Sequence, residues 1–393
     1  EMARELGLDS AEVHRKNTLD VGDVSVYGWK VESTGLKQCI DHVVTATDWT
    51  KKRQQQPDAS RTFRRGIGMG VAMHVSGARG QAGDWDGSTV SLRLNDDGGV
   101  AVLSGECDMG QGASTMLTQI VAEELRLPLA KVRVLAPDTD NTSFALGSFA
   151  SRVTMIAGNA AMKAAGVMRQ RILDLSSELL EAAHGDLEIE GTDRTTTFGD
   201  VARAALWRKG GATLQVTESW DAHTQSADSK LYGNVAPAHS YAAEAVEVEV
   251  DTETGRVKIL DSYLSDDLGK ALNPTAVHGQ ANGGRTQAIA WALYEELKFD
   301  GGRLQNGNFA DYTVPVASAV PMYRGDFVES NDPHGPYGAK ASSETAILIS
   351  AAAIANAVYD AVGVRIRSLP ITPEKILEGL DELDRQRGEK QDA

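Results

Sequence analysis

Two stretches of this chain repeat one layout, and the repeat limits the folds open to it. In the first half, residues 89–94 alternate in polarity, Asn95-Asp96-Asp97-Gly98-Gly99 makes a turn, and residues 100–103 return. Gly110-Gln111-Gly112 follows, then a helical apolar run over 115–125 that carries Gln119 and Glu123-Glu124-Leu125. In the second half, residues 245–250 alternate, Asp251-Thr252-Glu253-Thr254-Gly255 turns, and 256–260 return. Gly279-Gln280 then precedes a helical run that carries Gln287 and Glu295-Glu296-Leu297. Period-two alternation around a Gly-rich turn specifies a hairpin, and a 3.6-residue period specifies a helix. Neither pattern serves as the other, because the apolar residues would land on the wrong face. The order recurs, with spacings that differ by several residues. The expected fold class is α+β: two pseudo-repeated subdomains of mixed sheets and helices, with a site in the cleft between them.

The chain has 393 residues, enough for a large core and more than one subdomain. Residues 1–60 form a helical lead-in, 61–215 subdomain A and 216–393 subdomain B. In the lead-in, Asp9-Ser10 is a turn or N-cap before a second helix, and 35–55 is a further helix ending in a basic, Gln-rich run. Residues 66–73 read as a buried strand. Their glycines do not form a dinucleotide fingerprint, because the third glycine position is Val71 and no helix follows. Residues 151–171 and 344–362 are long Ala-rich helices, and Thr372-Pro373 caps and starts another.

The formal net charge of −16 argues against nucleic acid or an anionic membrane as partner. The most apolar helical run, 345–355, is too short to span a bilayer. Cys39 and Cys107 cannot supply the four thiolates of an iron–sulfur cluster. They are expected to be reduced and mostly buried, in a cytoplasmic protein. None of the eight histidines forms an HxH or HxxxH pair, so no protein-ligated zinc is expected. The chain begins Glu-Met-Ala with no signal peptide, as expected of a fragment or a processed piece.

Four turns carry residues suited to chemistry. In Gly110-Gln111-Gly112-Ala113-Ser114, backbone N–H groups at a helix start are expected to face outward, where the dipole is positive. Gln111 adds two amide donors and one acceptor, which suit a heteroaromatic or oxo-bearing partner. With no Walker lysine, nucleotide hydrolysis is not expected. Gly147-Ser148-Phe149-Ala150-Ser151-Arg152 also runs into a helix and is either a phosphate cradle or an ordinary cap. The third turn is Asp267-Leu268-Gly269-Lys270, followed by His278-Gly279-Gln280. The fourth, Gly335 onward, ends in Glu344, a lone carboxylate opening an apolar helix. Such a group either caps the helix or does chemistry; the dipole lowers its pKa and desolvation raises it.

In this order the stretches DMGQG, TQIVAEEL, PDTD, GSFASRV, VEVDTETGRV, DLGKALNP, GQANGG and GPYGAKASSE resemble the molybdenum hydroxylases. This is the family of xanthine dehydrogenase and aldehyde oxidoreductase. The resemblance covers essentially the whole chain and corresponds to the C-terminal part of the molybdopterin-binding large subunit. LGSFASRVTMIAGNAA and DPHGPYGAK are most similar to 4-hydroxybenzoyl-CoA reductase and its bacterial relatives. Ala341-Ser342-Ser343 departs from the usual sequence between the lysine and the glutamate.

The resemblance implies molybdopterin with molybdenum, in the cytosine dinucleotide form common in bacteria. The metal is then held by the pterin dithiolene and not by the protein. Gln111 would stand beside the metal oxo group and the pterin, within a turn formed by Met109, Gly110, Gly112 and Ser114. Ser148, Phe149, Ala150, Ser151 and Arg152 match the second cofactor turn, Gln280 the third, and Gly338, Ala339 and Lys340 line the site. Glu344 falls at the position of the catalytic base. The implied function is hydroxylation, or reductive dehydroxylation, of an aromatic, N-heterocyclic or aldehyde substrate with oxygen derived from water. The implied partners are the N-terminal half of the molybdenum subunit, as a separate chain or missing segment, an iron–sulfur subunit carrying [2Fe-2S], and often a FAD subunit. The alternative is a non-catalytic assembly subunit of such a complex. A phosphate-ester enzyme is disfavoured, because the chain lacks an acidic metal-ligand cluster.

Overall fold

Asp9 accepts hydrogen bonds from the backbone N–H groups of Ala11 and Glu12, and this N-cap starts the helix Ser10–Lys16. The lead-in comprises α1 (Met2–Glu5), α2 (Ser10–Lys16), α3 (Leu36–Ala46) and α4 (Trp49–Gln54). It does not stand alone: Leu36, Cys39, Ile40, Val43 and Trp49 pack against Ile67, Met69 and Tyr241 of a later sheet. The Trp49 indole N–H also donates to Asp9, 3.1 Å away, which ties the first helices together. The computed structural model describes residues 1–391 apart from 56, 57, 59, 81, 82, 190–194 and 209.

The remaining elements, in order, are β1 (Phe63–Val75), β2 (Gly87–Leu94), β3 (Val100–Ser104), α5 (Ala113–Leu125), β4 (Val132–Val134) and α6 (Val153–Leu180). They continue with α7 (Phe198–Trp207), β5 (Gln215–Asp221), β6 (His239–Asp251), β7 (Val257–Asp267) and α8 (Pro274–Leu293). The chain ends with the hairpin β8 (Phe299–Asp300) and β9 (Arg303–Leu304), then β10 (Tyr323–Val328), α9 (Glu344–Val362) and α10 (Pro373–Gln391). The fold is α+β, with mixed sheets and helices.

Two four-stranded sheets, ordered β4-β3-β2-β5 and β1-β6-β7-β10, share one construction. An antiparallel hairpin, β2–β3 or β6–β7, leads to a helix, α5 or α8. The chain then returns as a strand parallel to the hairpin's second strand: β4 beside β3, β10 beside β7. A long helix follows; α6 lies on β2 and β5, and α9 lies on β1 and β6. The outer strand distinguishes the two copies. In the first sheet it is β5, which follows α6; in the second it is β1, which precedes the whole first sheet. Strand pairing therefore cuts across the 61–215 and 216–393 division. β1 finds its partner in β6, in register from Phe63 opposite Asp251 to Val75 opposite His239.

Gly66, Gly68 and Gly70 alternate along β1 and so share a face. The α9 backbone lies against that face: a Cβ at Gly68 would stand 2.2 Å from Ala353 O and Ala357 N. Gly68→Ala is expected to destabilise the fold by about 1–3 kcal/mol through overpacking. Denaturant titration checks this, and an unchanged midpoint would refute the packing argument. α9 is long and apolar enough to cross a membrane by composition alone. Its Ala353, Ile354, Ala357 and Val358 are buried in the protein core with Val246, Val248 and Ile289, and its Ile349 packs with Ala242, Leu264 and Ala281.

The second Gly-Gln differs from expectation. α8 begins at Pro274, where the Asn273 side chain accepts from the Ala276 N–H. Gly279-Gln280 therefore lies within the helix and not in a turn before it. Proline supplies a ready φ at the helix start, so nucleation occurs upstream of the glycine.

Candidate functional site

The Gly-Gln-Gly turn is closed by a residue just ahead of it. One Asp108 carboxylate oxygen accepts from the N–H groups of Gly110 (2.9 Å) and Gly112 (3.2 Å), and the other from Ser114 (3.0 Å). Three of the donors expected to face outward, those of Gly110, Gly112 and Ser114, are thus taken up within the protein. Partial burial pushes the Asp108 carboxyl up, but its bonds from the Ser114, Gly110 and Gly112 N–H groups outweigh that and hold it below the ordinary value. The Gln111 side chain bridges two turns. Its amide NH2 donates to Cys107 O (2.9 Å) and Ser148 Oγ (3.2 Å), and its oxygen accepts from the Met109 N–H (2.6 Å). Cys39 is buried as expected, whereas Cys107 is exposed, because this loop projects it to the surface.

In the second turn, Ala150 and Ser151 both adopt left-handed backbone, with φ of 48° and 47°. Non-glycine residues hold that region only when their surroundings enforce it. Arg152 does so here. Its guanidinium has no exposure and donates to Asp86 (3.0 Å), Glu106 (2.8 Å) and the carbonyls of Gly87 (2.6 Å) and Gly147 (3.3 Å). This arginine anchors the turn from within and does not reach out toward an anion. The turn presents Ser148, Phe149 and Ser151 to a cavity instead.

The last turn is anchored in a similar way. Lys340 is buried, with its ammonium 2.7 Å from Asp267. Asp267 also accepts from the N–H groups of Gly35 and Gly269 and from Ser330 Oγ. The Lys340 charge is therefore spent inside the protein, although other parts of the residue line a cavity. Gly338 takes φ of +89° and Ala339 is buried, and neither lines the cavities described below.

Glu344 is the first residue of α9 and is partly exposed. Ser151 Oγ donates to its Oε2, which joins the second turn to the fourth. His74 of β1 lies with Nδ1 3.7 Å from the same oxygen, and this buried nitrogen has no hydrogen-bond partner. Nearby His239 is pushed down to about 4, mainly by burial and then by Lys340 and His74, so it is neutral near pH 7.

These groups converge on a cavity of about 130 Å³ lined by Gln111, Ser148, Ser151, Gln280, Ser343 and Glu344 among others. A second, of about 80 Å³, shares Gln111, Thr154, Gln280 and Ser342 with it and adds Lys270 and Asn273. Beyond Lys270 and Leu272 lies a groove of about 880 Å³ walled by the C-terminal half of α5. Among the described residues no cluster of three His, Cys, Asp or Glu could hold a metal ion. The fold thus gathers Gln111, the Ser148–Ser151 turn, Gln280 and Glu344 at one place.

Sequence reasoning passed over Asp108, His74, Asp86 and Glu106. Only Asp108 leaves a local signal, a carboxylate two residues before a glycine, the geometry of an Asx turn. The others meet their partners only through tertiary packing, His74 where β1 lies on α9 and Asp86 and Glu106 where they meet Arg152 ahead of α6.

Residues 42–321, well over half of the chain, match the model of the molybdopterin cofactor-binding domain. The xanthine dehydrogenase molybdenum-binding subunit of Escherichia coli O157:H7 is 32% identical over 401 residues, covering 96% of this chain and 50% of its own. The 6-hydroxypseudooxynicotine dehydrogenase complex subunit gamma of Paenarthrobacter nicotinovorans is 31% identical over 404 residues, covering 97% of this chain and 49% of its own. Quinoline 2-oxidoreductase from Pseudomonas putida 86 superimposes with a TM-score of 0.85 at 29% identity, covering 97% of this chain and 50% of that one. The chain spans about half the length of the curated relatives it matches. A shared fold over nearly the whole chain, together with the matched domain, places this protein in the molybdenum hydroxylase family.

Proposed function

We propose that the chain is the molybdenum-cofactor-binding catalytic part of a multi-subunit oxidoreductase that hydroxylates, or reductively dehydroxylates, a small aromatic, N-heterocyclic or aldehyde substrate. The observation that carries this reading is the placement of Glu344 beside Gln111 and Gln280 in one cavity. The residues fit the group. The cavity walls offer amides and hydroxyls and no thiolate or imidazole set, which suits a cofactor that brings its own metal ligands. Gln280 would donate to the pterin through its amide, and Gln111, Ser148 and Ser343, whose hydrogens are given within the protein, would meet it through their remaining acceptor lone pairs. When bound, the molybdenum centre supplies two-electron redox chemistry and the transfer of oxygen from water.

The chain's own part is proton handling and positioning. Glu344 is the base that takes a proton during oxygen transfer, and Ser151 orients its carboxylate. Gln111 and Ser148 fix the two loops against each other, which keeps the cavity's shape in the absence of strong local secondary structure. The cytosine dinucleotide form, a cytoplasmic location, and [2Fe-2S] and FAD subunits as electron carriers belong to the same proposal. So does an N-terminal half of the large subunit closing the other side of the cavity; the large-subunit relatives, twice as long, support it. The likeness to 4-hydroxybenzoyl-CoA reductase makes an aryl thioester one candidate substrate class.

The test is metal and pterin analysis of the intact complex, followed by turnover of aromatic and aldehyde substrates with an artificial electron acceptor. Stoichiometric molybdenum and pterin with turnover are expected. Their absence from a folded complex would overturn the reading.

A further inference from the structure

Glu344 sits on a strap, residues 340–345, whose other members are each tied to the fold by a side-chain or backbone bond. Lys340 pairs with Asp267, and Ala341 is held by Ser76 through its N–H and by Ser240 through its carbonyl. Ser343 Oγ donates to Gln280 at 3.2 Å. The remaining two ties go to one group. Asp266 Oδ2 accepts from Ser342 Oγ at 2.6 Å and from Thr345 Oγ1 at 3.2 Å. Asp266 lies at the end of β7, which has strands on both sides, and it has no exposure. It therefore holds the strap from a rigid element, on both sides of Glu344.

We propose that Asp266 is a positioning residue for Glu344, clamping the strap through Ser342 and Thr345 and so setting where the base stands in the cavity. The inference rests on Glu344 being that base. A carboxylate suits the task, because hydrogen bonds to an ionised acceptor are roughly twice as strong as neutral ones. Two donors on one carboxylate also fix the strap's rotation, which a single bond does not.

Folding does not favour the ionised form of Asp266 over the protonated one. Burial pushes the Asp266 carboxyl up to about 6 against the lowering effect of Ser342 and Thr345, with Asp267 adding to the rise. A raised folded pKa means that the folded state binds the proton more tightly. Stability therefore falls as pH climbs from the ordinary carboxylate value to about 6, and near neutral pH the charged group opposes folding. Ser342 also lines both cavities.

The test uses the purified, cofactor-loaded complex and Asp266→Asn. The expected result is a kcat about 10–100-fold lower with KM within about twofold, as for a small displacement of a reacting group. Molybdenum and pterin content stay unchanged, and the melting temperature is unchanged or higher. Hydrogen exchange rises in the peptide spanning 340–345 and nowhere else in β7 or α9. A kcat within about twofold of wild type, or unchanged exchange in the strap, overturns the proposal. If Asp266→Asn does not assemble, Ser342→Ala with Thr345→Val removes both donors and is read by the same criteria. Glu344→Gln separates the two ideas: if that variant stays active, the base assignment itself has failed, whatever Asp266 does.

Discussion

Glu344→Gln is expected to lower kcat by about 10²–10⁴-fold, the usual worth of a positioned general base, while molybdenum and pterin remain bound. The side chain keeps its size, so the Ser151 contact to Oε2 can persist to an amide oxygen. What is lost is the capacity to take a proton. The competing role is helix capping, because the first turn of α9 favours a negative charge. That role predicts a different result: a stability loss of about 0.3–1 kcal/mol and nearly full turnover. Single-turnover kinetics with a melting curve on the same preparation distinguishes them. Full activity with lowered stability would reduce Glu344 to a cap.

Arg152→Met should destabilise the protein by about 3–5 kcal/mol, the range for breaking a buried ion pair from one side. Methionine nearly fills the volume but leaves Asp86 and Glu106 buried and without their countercharge. Both carboxylates are almost wholly buried, so water cannot replace the guanidinium. The second cofactor turn should loosen as well, because Arg152 also binds the Gly147 carbonyl and follows the two left-handed residues. Chemical denaturation measures the loss. Adding Asp86→Asn and Glu106→Gln to the variant should recover part of it, since no buried charge then stands uncompensated. A destabilisation below about 1 kcal/mol would show that the pair is solvated in solution.

Much of the fold was legible because the two sheets advertise themselves locally. The alternation at 89–94 and 245–250, with Gly-rich turns, marks the hairpins, and α9 begins and ends where its Ala-rich run does. The lead-in helix starts at Asp9 as read. Two features were not legible for a common reason. The partner of β1 is β6, far along the chain, and no local pattern encodes that choice. Arg152 reads as a candidate anion ligand because it follows serines at a helix start, and Lys340 as a site residue through the family resemblance. Only the fold brings Asp86 and Glu106 to the one and Asp267 to the other.

The sequence by itself determined the α+β class, the repeated hairpin-to-helix layout, and the order of turns that marks the molybdenum hydroxylases. It also determined which residue types could meet a cofactor without ligating a metal. The class and the layout follow from local periodicity and turn chemistry, which act over a few residues, and the family follows from the resemblance of the motifs. The tertiary structure alone decided which charges are spent inside. It gave the second turn to Arg152, and the strap carrying Glu344 to Asp266 and Asp267. A buried charge or donor must find its partner wherever the chain brings one, and that partner is set by long-range strand pairing and helix packing.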